Sequence, residues 1–282
     1  MLKQRVITAV LLLAVLLPAL FNASPLPFCA LALLLISAGG WEWGRLNGCG
    51  PGLSWLIGVL CFVAGLLAWQ FGVLNLALPW LWSCVGAAWV LGGAWLLQRG
   101  VKGWPLVPRA LRLLIGAMAL MLAWLALAQA RVIGVNFLLS IMVLVWVADI
   151  GAYFAGKAFG MRFIRRKLAA SISPGKSWEG VLGGMAGALL MALAWTLLDR
   201  SVATGGASFY TSLAERHSVP LMLLVVLFMA AMSVVGDLVE SLVKRSAGAK
   251  DSSALLPGHG GVLDRLDALI PTLPLAMMLV SL

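Results

Sequence analysis

The chain has 282 residues, 62% of them apolar and only 11% charged, with a mean hydropathy of +1.04 and a formal net charge of +10. Soluble chains run about 45–50% apolar and about 25% charged, so a water-soluble fold is excluded. A membrane crossing with its loop takes about 25–30 residues, given about 20 for the bilayer itself. Eight to ten crossings would therefore use up the chain and leave no room for a separate soluble or nucleic-acid-binding domain.

Apolar runs between charged and turn-forming clusters predict spans at 6–22, 25–41, 53–72, 76–97, 108–129, 133–156, 180–198, 219–240 and 262–282. The expected fold class is all-α: a polytopic membrane protein of about nine transmembrane helices with a cytoplasmic N-terminus. That orientation puts seventeen of the twenty Lys and Arg residues in inside segments and only Arg131, Arg200 and Arg216 outside, the bias of cytoplasmic loops. Lys3 and Arg5 ahead of an apolar run have the layout of a secretory signal. The following PALFNASP lacks a small-x-small cleavage site and more spans follow, which predicts a retained first helix. Cys29, Cys49, Cys61 and Cys84 lie in or beside apolar helices without metal-like spacing, so buried free thiols are expected. Trp41, Trp43, Trp80, Trp82, Trp104 and Trp178 fall near span ends and read as interfacial anchors. Gly183, Gly184 and Gly187 would let helices approach closely.

Polar residues divide the chain. Before residue 149 the single acidic residue is Glu42, at a predicted membrane boundary, whereas the other nine lie between 149 and 267. The chain is accordingly read as N-terminal helices over 1–140 and a catalytic transmembrane region over 141–282. Arg162, Arg165, Arg166 and Lys167 read as a topology signal and anionic-lipid contact. AASISPGKSWEG then places Ser173, Lys176 and Ser177 just before the seventh span. Its SPGKS is not a P-loop, because Ala170 stands where the first glycine is required and membrane helices flank it. Asp199, Glu215 and His217 fall on the opposite side and read as solvated groups.

The eighth span ends in SVVGDLVESLVKR, where Asp237, Glu240, Ser241 and Lys244 share one helical face. Lys250 and Asp251 follow, then a loop broken by Pro257, Gly258, Gly260 and Gly261 around His259, and a helix with Asp264 and Asp267 on one face. The cytoplasmic end of this last run is too polar for hydrocarbon and is expected to line a polar cavity. Carboxylates there need partners, and one or two of them with substrate phosphates is the donor set of Mg2+. Lys244, Arg245, Lys250 and Arg265 suit phosphate oxygens, and a Gly-rich loop lets backbone amides approach an anion. Ion pairs such as Asp237 with Lys244, or Asp264 with Arg265, account for the same charges without chemistry. A secondary transporter also carries carboxylates on broken helices, although near the midplane.

SLVKRSAGAKDSSALLPGHGGVLDRLD, from Ser241 to Asp267, resembles the C-terminal signature of the bacterial-type phosphatidate cytidylyltransferases, or CDP-diacylglycerol synthases. ADIGAYFAGKAFG at 148–160, SPGKSWEG at 173–180 and GDLVES at 236–241 support the resemblance in the family's order. It covers the last half of the chain, and Ile150 departs from it where a small hydroxyl residue is expected. The resemblance implies an enzyme of phospholipid biosynthesis in the bacterial inner membrane, making CDP-diacylglycerol and pyrophosphate from CTP and phosphatidate with Mg2+ as cofactor. It makes Asp237 and Asp264 the metal ligands, gives phosphates to Lys176, Lys244, Arg245, Lys250 and Arg265, and lets Asp149 support nucleotide or metal. Asp251, His259 and Asp267 join the catalytic candidates, and Ser173, Ser177, Glu240, Ser241, Gly260 and Gly261 the substrate-binding ones. The partners implied are CTP, phosphatidate and membrane lipids, without nucleic acid; a homodimer is compatible. The alternatives are a CTP-dependent polyprenol kinase, a cytidylyltransferase for another lipid phosphate and, outside enzymes, a secondary transporter. A CDP-alcohol phosphotransferase is disfavoured because its DGxxAR motif is absent.

Overall fold

The computed structural model describes residues 2–201 and 206–282, with side chains from residue 4 onward. The Lys3 side chain and positions 202–205 of the predicted outer loop lie outside the described residues. The apolar runs form α1 (Leu2–Leu20), α2 (Leu26–Leu46), α3 (Pro51–Gln70), α4 (Pro79–Arg99), α5 (Arg109–Ile133), α6 (Val135–Phe159), α7 (Trp178–Ser201) and α9 (Val219–Ser246). Shorter pieces are α8 (Phe209–Arg216), α10 (Leu263–Leu266) and α11 (Leu269–Ser281). Pro51 and Pro79 open their helices, where a missing N–H costs nothing.

Among the described residues, seven helices, α2–α7 and α9, are long and apolar enough to cross a membrane. The chain is thus a multi-pass, all-α membrane protein. The last predicted span is shorter than its apolar run: 262–268 forms the separate turn α10 and a link, so the charged residues of that stretch precede α11.

Hydrogen bonds show how the ends alternate. At one end Arg5 Nε donates to the Gly258 carbonyl at 2.9 Å, Thr8 to that of Pro257 at 2.9 Å, and Trp43 Nε1 to that of Arg112 at 3.0 Å. At the other, Arg131 Nε donates to the Leu20 carbonyl at 3.0 Å, Gln129 to that of Leu76 at 2.9 Å, and Arg216 to that of Val280. The start of α1, the end of α2, the start of α5 and the 247–262 loop therefore share one end, where the basic residues collect.

Helices α6 and α7 pack through small residues. A Cβ on Gly151 would lie 2.9 Å from the Gly183 carbonyl and 3.1 Å from the Gly184 Cα, and one on Gly180 would lie 2.9 Å from the Ala152 carbonyl. Close backbone approach of this kind is what small residues permit in a membrane. Between the two helices, β1 (Lys167–Ala169) pairs antiparallel with β2 (Ser173–Ser177), a hairpin the sequence reading lacked. The segment is too polar to continue either helix and satisfies its backbone across the two strands.

Three expectations are corrected. Trp82 and Trp104 are buried at 1% and 2% exposure, with Nε1 donating to Gln129 and Asn47 at 3.2 Å each. They bolt helices together inside the bundle, while Trp80 stays exposed. All four cysteines are free, but only Cys29 and Cys61 are buried, and Cys84 is exposed. Asp199 is no solvated charge: it accepts from the Ser208 amide at 3.0 Å and the Thr211 hydroxyl at 2.7 Å, tying the end of α7 to α8.

Candidate active site

A cavity of about 580 Å3 opens at the basic end of the bundle. Helix α6 supplies Asp149, Tyr153 and Lys157 to its wall, and the hairpin and the start of α7 supply Gly175, Lys176, Ser177 and Gly180. Asp237 enters from α9, and Asp264, Arg265 and Asp267 from the stretch around α10. Four carboxylates thus face a space shared with three cationic side chains. The close α6–α7 seam sets Asp149 and Lys157 opposite Lys176.

Asp237 forms an ion pair with Lys176 and accepts from the Ser241 hydroxyl at 3.2 Å. Asp264 is more heavily bonded. One of its oxygens takes the Lys244 ammonium at 2.5 Å, and the other accepts from the Gly261 amide at 2.8 Å and the Ser252 amide at 2.9 Å. Burial pushes the Asp264 pKa up, but the Lys244 hydrogen bond and the two amides outweigh it and hold the carboxyl below its usual range. Asp267 moves the other way. Burial, helped by the negative charge of Asp237, lifts it to about 7. Lys244 also lies 2.5 Å from Glu240, an ion pair in which neither Glu240 oxygen gains hydrogen-bond geometry. Arg265 fastens the glycine loop by donating to the His259 carbonyl at 2.6 and 3.1 Å, a turn in which Gly258 and Gly260 take positive φ.

On the other side of α9 lies a second cavity of about 440 Å3, almost wholly apolar, walled by α4 (Val85, Trp89), α5 (Ile115, Leu120) and α9 (Val239). Asp267 lines both cavities.

Residues 3–282 match the family model described as Cytidylyltransferase family. The chain belongs to the cytidylyltransferase family. It is 39% identical to the phosphatidate cytidylyltransferase of Pseudomonas aeruginosa over 97% of this chain and 95% of that one. Against the phosphatidate cytidylyltransferase of Haemophilus influenzae the identity is 37%, over 97% and 96%. The Bacillus subtilis protein of that name matches at 36% over 53% of this chain and 49% of its own.

Within this cytidylyltransferase, the structure brings together Asp149, Lys176, Ser177, Asp237, Asp264, Arg265 and Asp267 of the residues singled out from sequence. Ser241, Lys244 and Gly261 stand behind the wall and bond to it. Glu240 faces the apolar cavity instead, and Ser173 pairs with Ala169 in the hairpin. Arg245 donates to the carbonyls of Ile172 and Ala249. Lys250 and Asp251 are exposed on the loop, and Gly260 closes a bridge with Leu256. The His259 ring is outside the wall, with Nδ1 buried and unpartnered. Sequence reasoning missed Tyr153 and Lys157. Both repeat at four-residue steps from Asp149, so a helical reading of ADIGAYFAGKAFG carried the signal. It also passed over Glu42, whose partners lie more than 200 residues away.

For Mg2+ the donor set fits in one particular way. Among the described residues no three His, Cys, Asp or Glu side chains form a ready-made cage. Asp237 and Asp264 on the wall of the polar cavity suit an ion that takes one or two carboxylates and completes its shell with water and substrate phosphates.

Proposed function

We propose that this chain is a phosphatidate cytidylyltransferase, converting CTP and phosphatidate into CDP-diacylglycerol and pyrophosphate. The observation that carries the reading is the pair of cavities meeting at Asp267. A polar chamber with cations suits a nucleoside triphosphate, and an apolar one beside it suits the acyl part of a lipid phosphate. The phosphatidate cytidylyltransferases to which the chain is similar favour this substrate pair over a polyprenol kinase, another lipid-phosphate cytidylyltransferase or a transporter.

A phosphatidate oxygen is already anionic at pH 7, so no side chain need act first as nucleophile. That oxygen attacks the α-phosphorus of CTP, the bond from the α-phosphorus to the bridging oxygen breaks, and pyrophosphate leaves. Lys157, Lys176 and Arg265 hold phosphate oxygens and offset the charge of two polyanions. Asp237 and Asp264 are the residues that would hold Mg2+, which when bound supplies Lewis-acid polarisation of the phosphoryl oxygens. Lys176, resting on Asp237 at the cavity wall, is placed to pass to a substrate phosphate, while Lys244 holds Asp264 from behind the wall. Arg245 and Lys250, exposed at the same end, draw the nucleotide in electrostatically.

The same reading places the site at the cytoplasmic face of the bacterial inner membrane, with the N-terminus inside and nine crossings, α1 and α11 completing the seven long helices. Residues 1–140 form the supporting helices and 141–282 the catalytic region. Purified protein given CTP, phosphatidate and Mg2+ is expected to form CDP-diacylglycerol. A chiral α-thio-CTP is expected to react with inversion at phosphorus. Retention, or labelled CMP trapped on the protein without phosphatidate, would overturn direct displacement. Substrate flux in sealed vesicles without lipid product would favour the transporter.

A further inference from the structure

Glu42 is fully buried near the end of α2, yet its carboxylate is not left alone. It accepts from the Val262 amide at 2.9 Å, the Leu263 amide at 2.8 Å, and the hydroxyls of Ser252 at 3.0 Å and Ser253 at 2.5 Å. All four donors lie in the 252–263 stretch that leads into Asp264 and Arg265 of the polar cavity wall. One turn earlier on α2, Gly39 makes room for Leu263, whose Cδ2 would lie 3.2 Å from a Cβ there. Gly261 is glycine for the matching reason: a Cβ would run into Ser252 Oγ and the Glu42 carboxylate. A buried carboxylate is tolerated only when its oxygens are satisfied. Here the loop supplies every donor, so the loop's path and the buried charge determine each other.

The connection reaches the cavity wall. The Ser252 hydroxyl lies 3.0 Å from both Glu42 and Asp264, and the amides of Ser252 and Gly261 donate to that same Asp264 oxygen. Arg265 is the next residue.

We propose that Glu42 is a positioning residue for the nucleotide side of the site: it sets the 252–263 loop and, through Ser252 and Gly261, the carboxylate of Asp264. This rests on the cytidylyltransferase reading above. Glu42 touches no group of the polar cavity directly, and of its partners only Leu263 lines the apolar cavity, whose walls come mainly from α4, α5 and α9. Its loss therefore disturbs nucleotide and metal use, through two bonds to Asp264, more than lipid use, which it reaches through Leu263 alone.

The test pairs an activity-independent readout with kinetics. Glu42→Gln keeps the side-chain shape but turns one acceptor into a donor aimed at donors. Amide hydrogen exchange of peptides covering 252–263 is expected to speed up by about tenfold or more, with α6 and α7 unchanged, because a local rather than global opening is released. The Mg2+ midpoint and the KM for CTP are expected to rise about fivefold or more, with a smaller rise in the KM for phosphatidate. Glu42→Asp, which keeps the charge, is expected to recover part of both. Unchanged loop exchange, or equal losses for both substrates, would overturn the proposal. If Glu42→Gln does not accumulate, Ser252→Ala decides, since it removes the bridge alone; an unchanged Mg2+ midpoint there also overturns it. Wild-type protein that makes no CDP-diacylglycerol would instead sink the assigned reaction, while the exchange comparison would still judge Glu42's hold on the loop.

Discussion

Asp237 and Asp267 face the same space under different constraints. Asp237 has an ammonium on one oxygen and a hydroxyl on the other, so its charge is held ready for a cation. Asp237→Asn keeps the size and removes that charge, and the expected result is a loss of at least about 100-fold in turnover, the scale of one strong electrostatic contact in a dry site. Membrane yield should stay normal; near-normal turnover would make it a structural carboxylate. Asp267 has the backbone amide of Ala268 as its partner, at 2.7 Å, and sits at about 7 rather than the ordinary 3.8. Between those values the folded state keeps a proton that the unfolded chain releases. The stabilisation from this group is fully present below the ordinary value and is lost as pH rises through about 7. Asp267→Asn, which does not titrate, should therefore gain more thermal stability relative to wild type at pH 8 than at pH 5, measured without Mg2+. A gain independent of pH would show that the shift is not expressed in stability. The acidic residues of the site were legible because each stands out in an apolar sequence. Glu42 stood out equally, but its donors are backbone amides and serines of a distant loop, and no local spacing encodes such a pairing.

The helices themselves could be read because lipid forces every backbone group into internal hydrogen bonds, so a long apolar run has one outcome. The hairpin of β1 and β2 could not, since the SPGKS of β2 has no apolar alternation and its Pro-Gly signals a turn rather than a strand. Buried tryptophans were misread for a related reason: proximity to a span end is a statement about depth, whereas Trp82 and Trp104 are held by partners on other helices. The α6–α7 seam shows how an element positions chemistry. A Cβ on Gly184 would run into the Ala148 carbonyl, immediately before Asp149. Gly184→Val is expected to cost about 1–3 kcal/mol, the usual penalty of overpacking, and to lower turnover as Asp149 is displaced. Gly52→Ala at the start of α3, where a Cβ meets nothing within 4 Å, should leave the unfolding midpoint and turnover as they are. Equal behaviour of the two variants in a thermal unfolding series would contradict a seam set by close backbone approach.

At the scale of the molecule, one arrangement has to satisfy three demands: a charged nucleotide must approach from water, a lipid must arrive from the bilayer, and the two must meet without either crossing the other's medium. The basic residues collect at the end that holds Asp237, Asp264 and the glycine loop, while Arg131, Arg200 and Arg216 lie at the other. Because positive loops favour the cytoplasm, this asymmetry is the basis of the proposal that the polar cavity faces the compartment that holds CTP. The orientation can be read by thiol labelling in a variant whose four cysteines are replaced. The natural probe positions are fixed by exposure. Ser208 and Ser252 sit at opposite ends, but they are 0% and 4% exposed and would stay silent on either side of the membrane. Ala207, Ala170 and Ala254 are exposed. An impermeant reagent added to intact cells with a permeable outer envelope should label Ala207→Cys and leave Ala170→Cys and Ala254→Cys untouched until the inner membrane is opened. Labelling at 254 from outside would place the polar cavity on the wrong face for CTP and remove the physical basis for the proposed reaction, since a triphosphate has no path through the apolar half of this bundle.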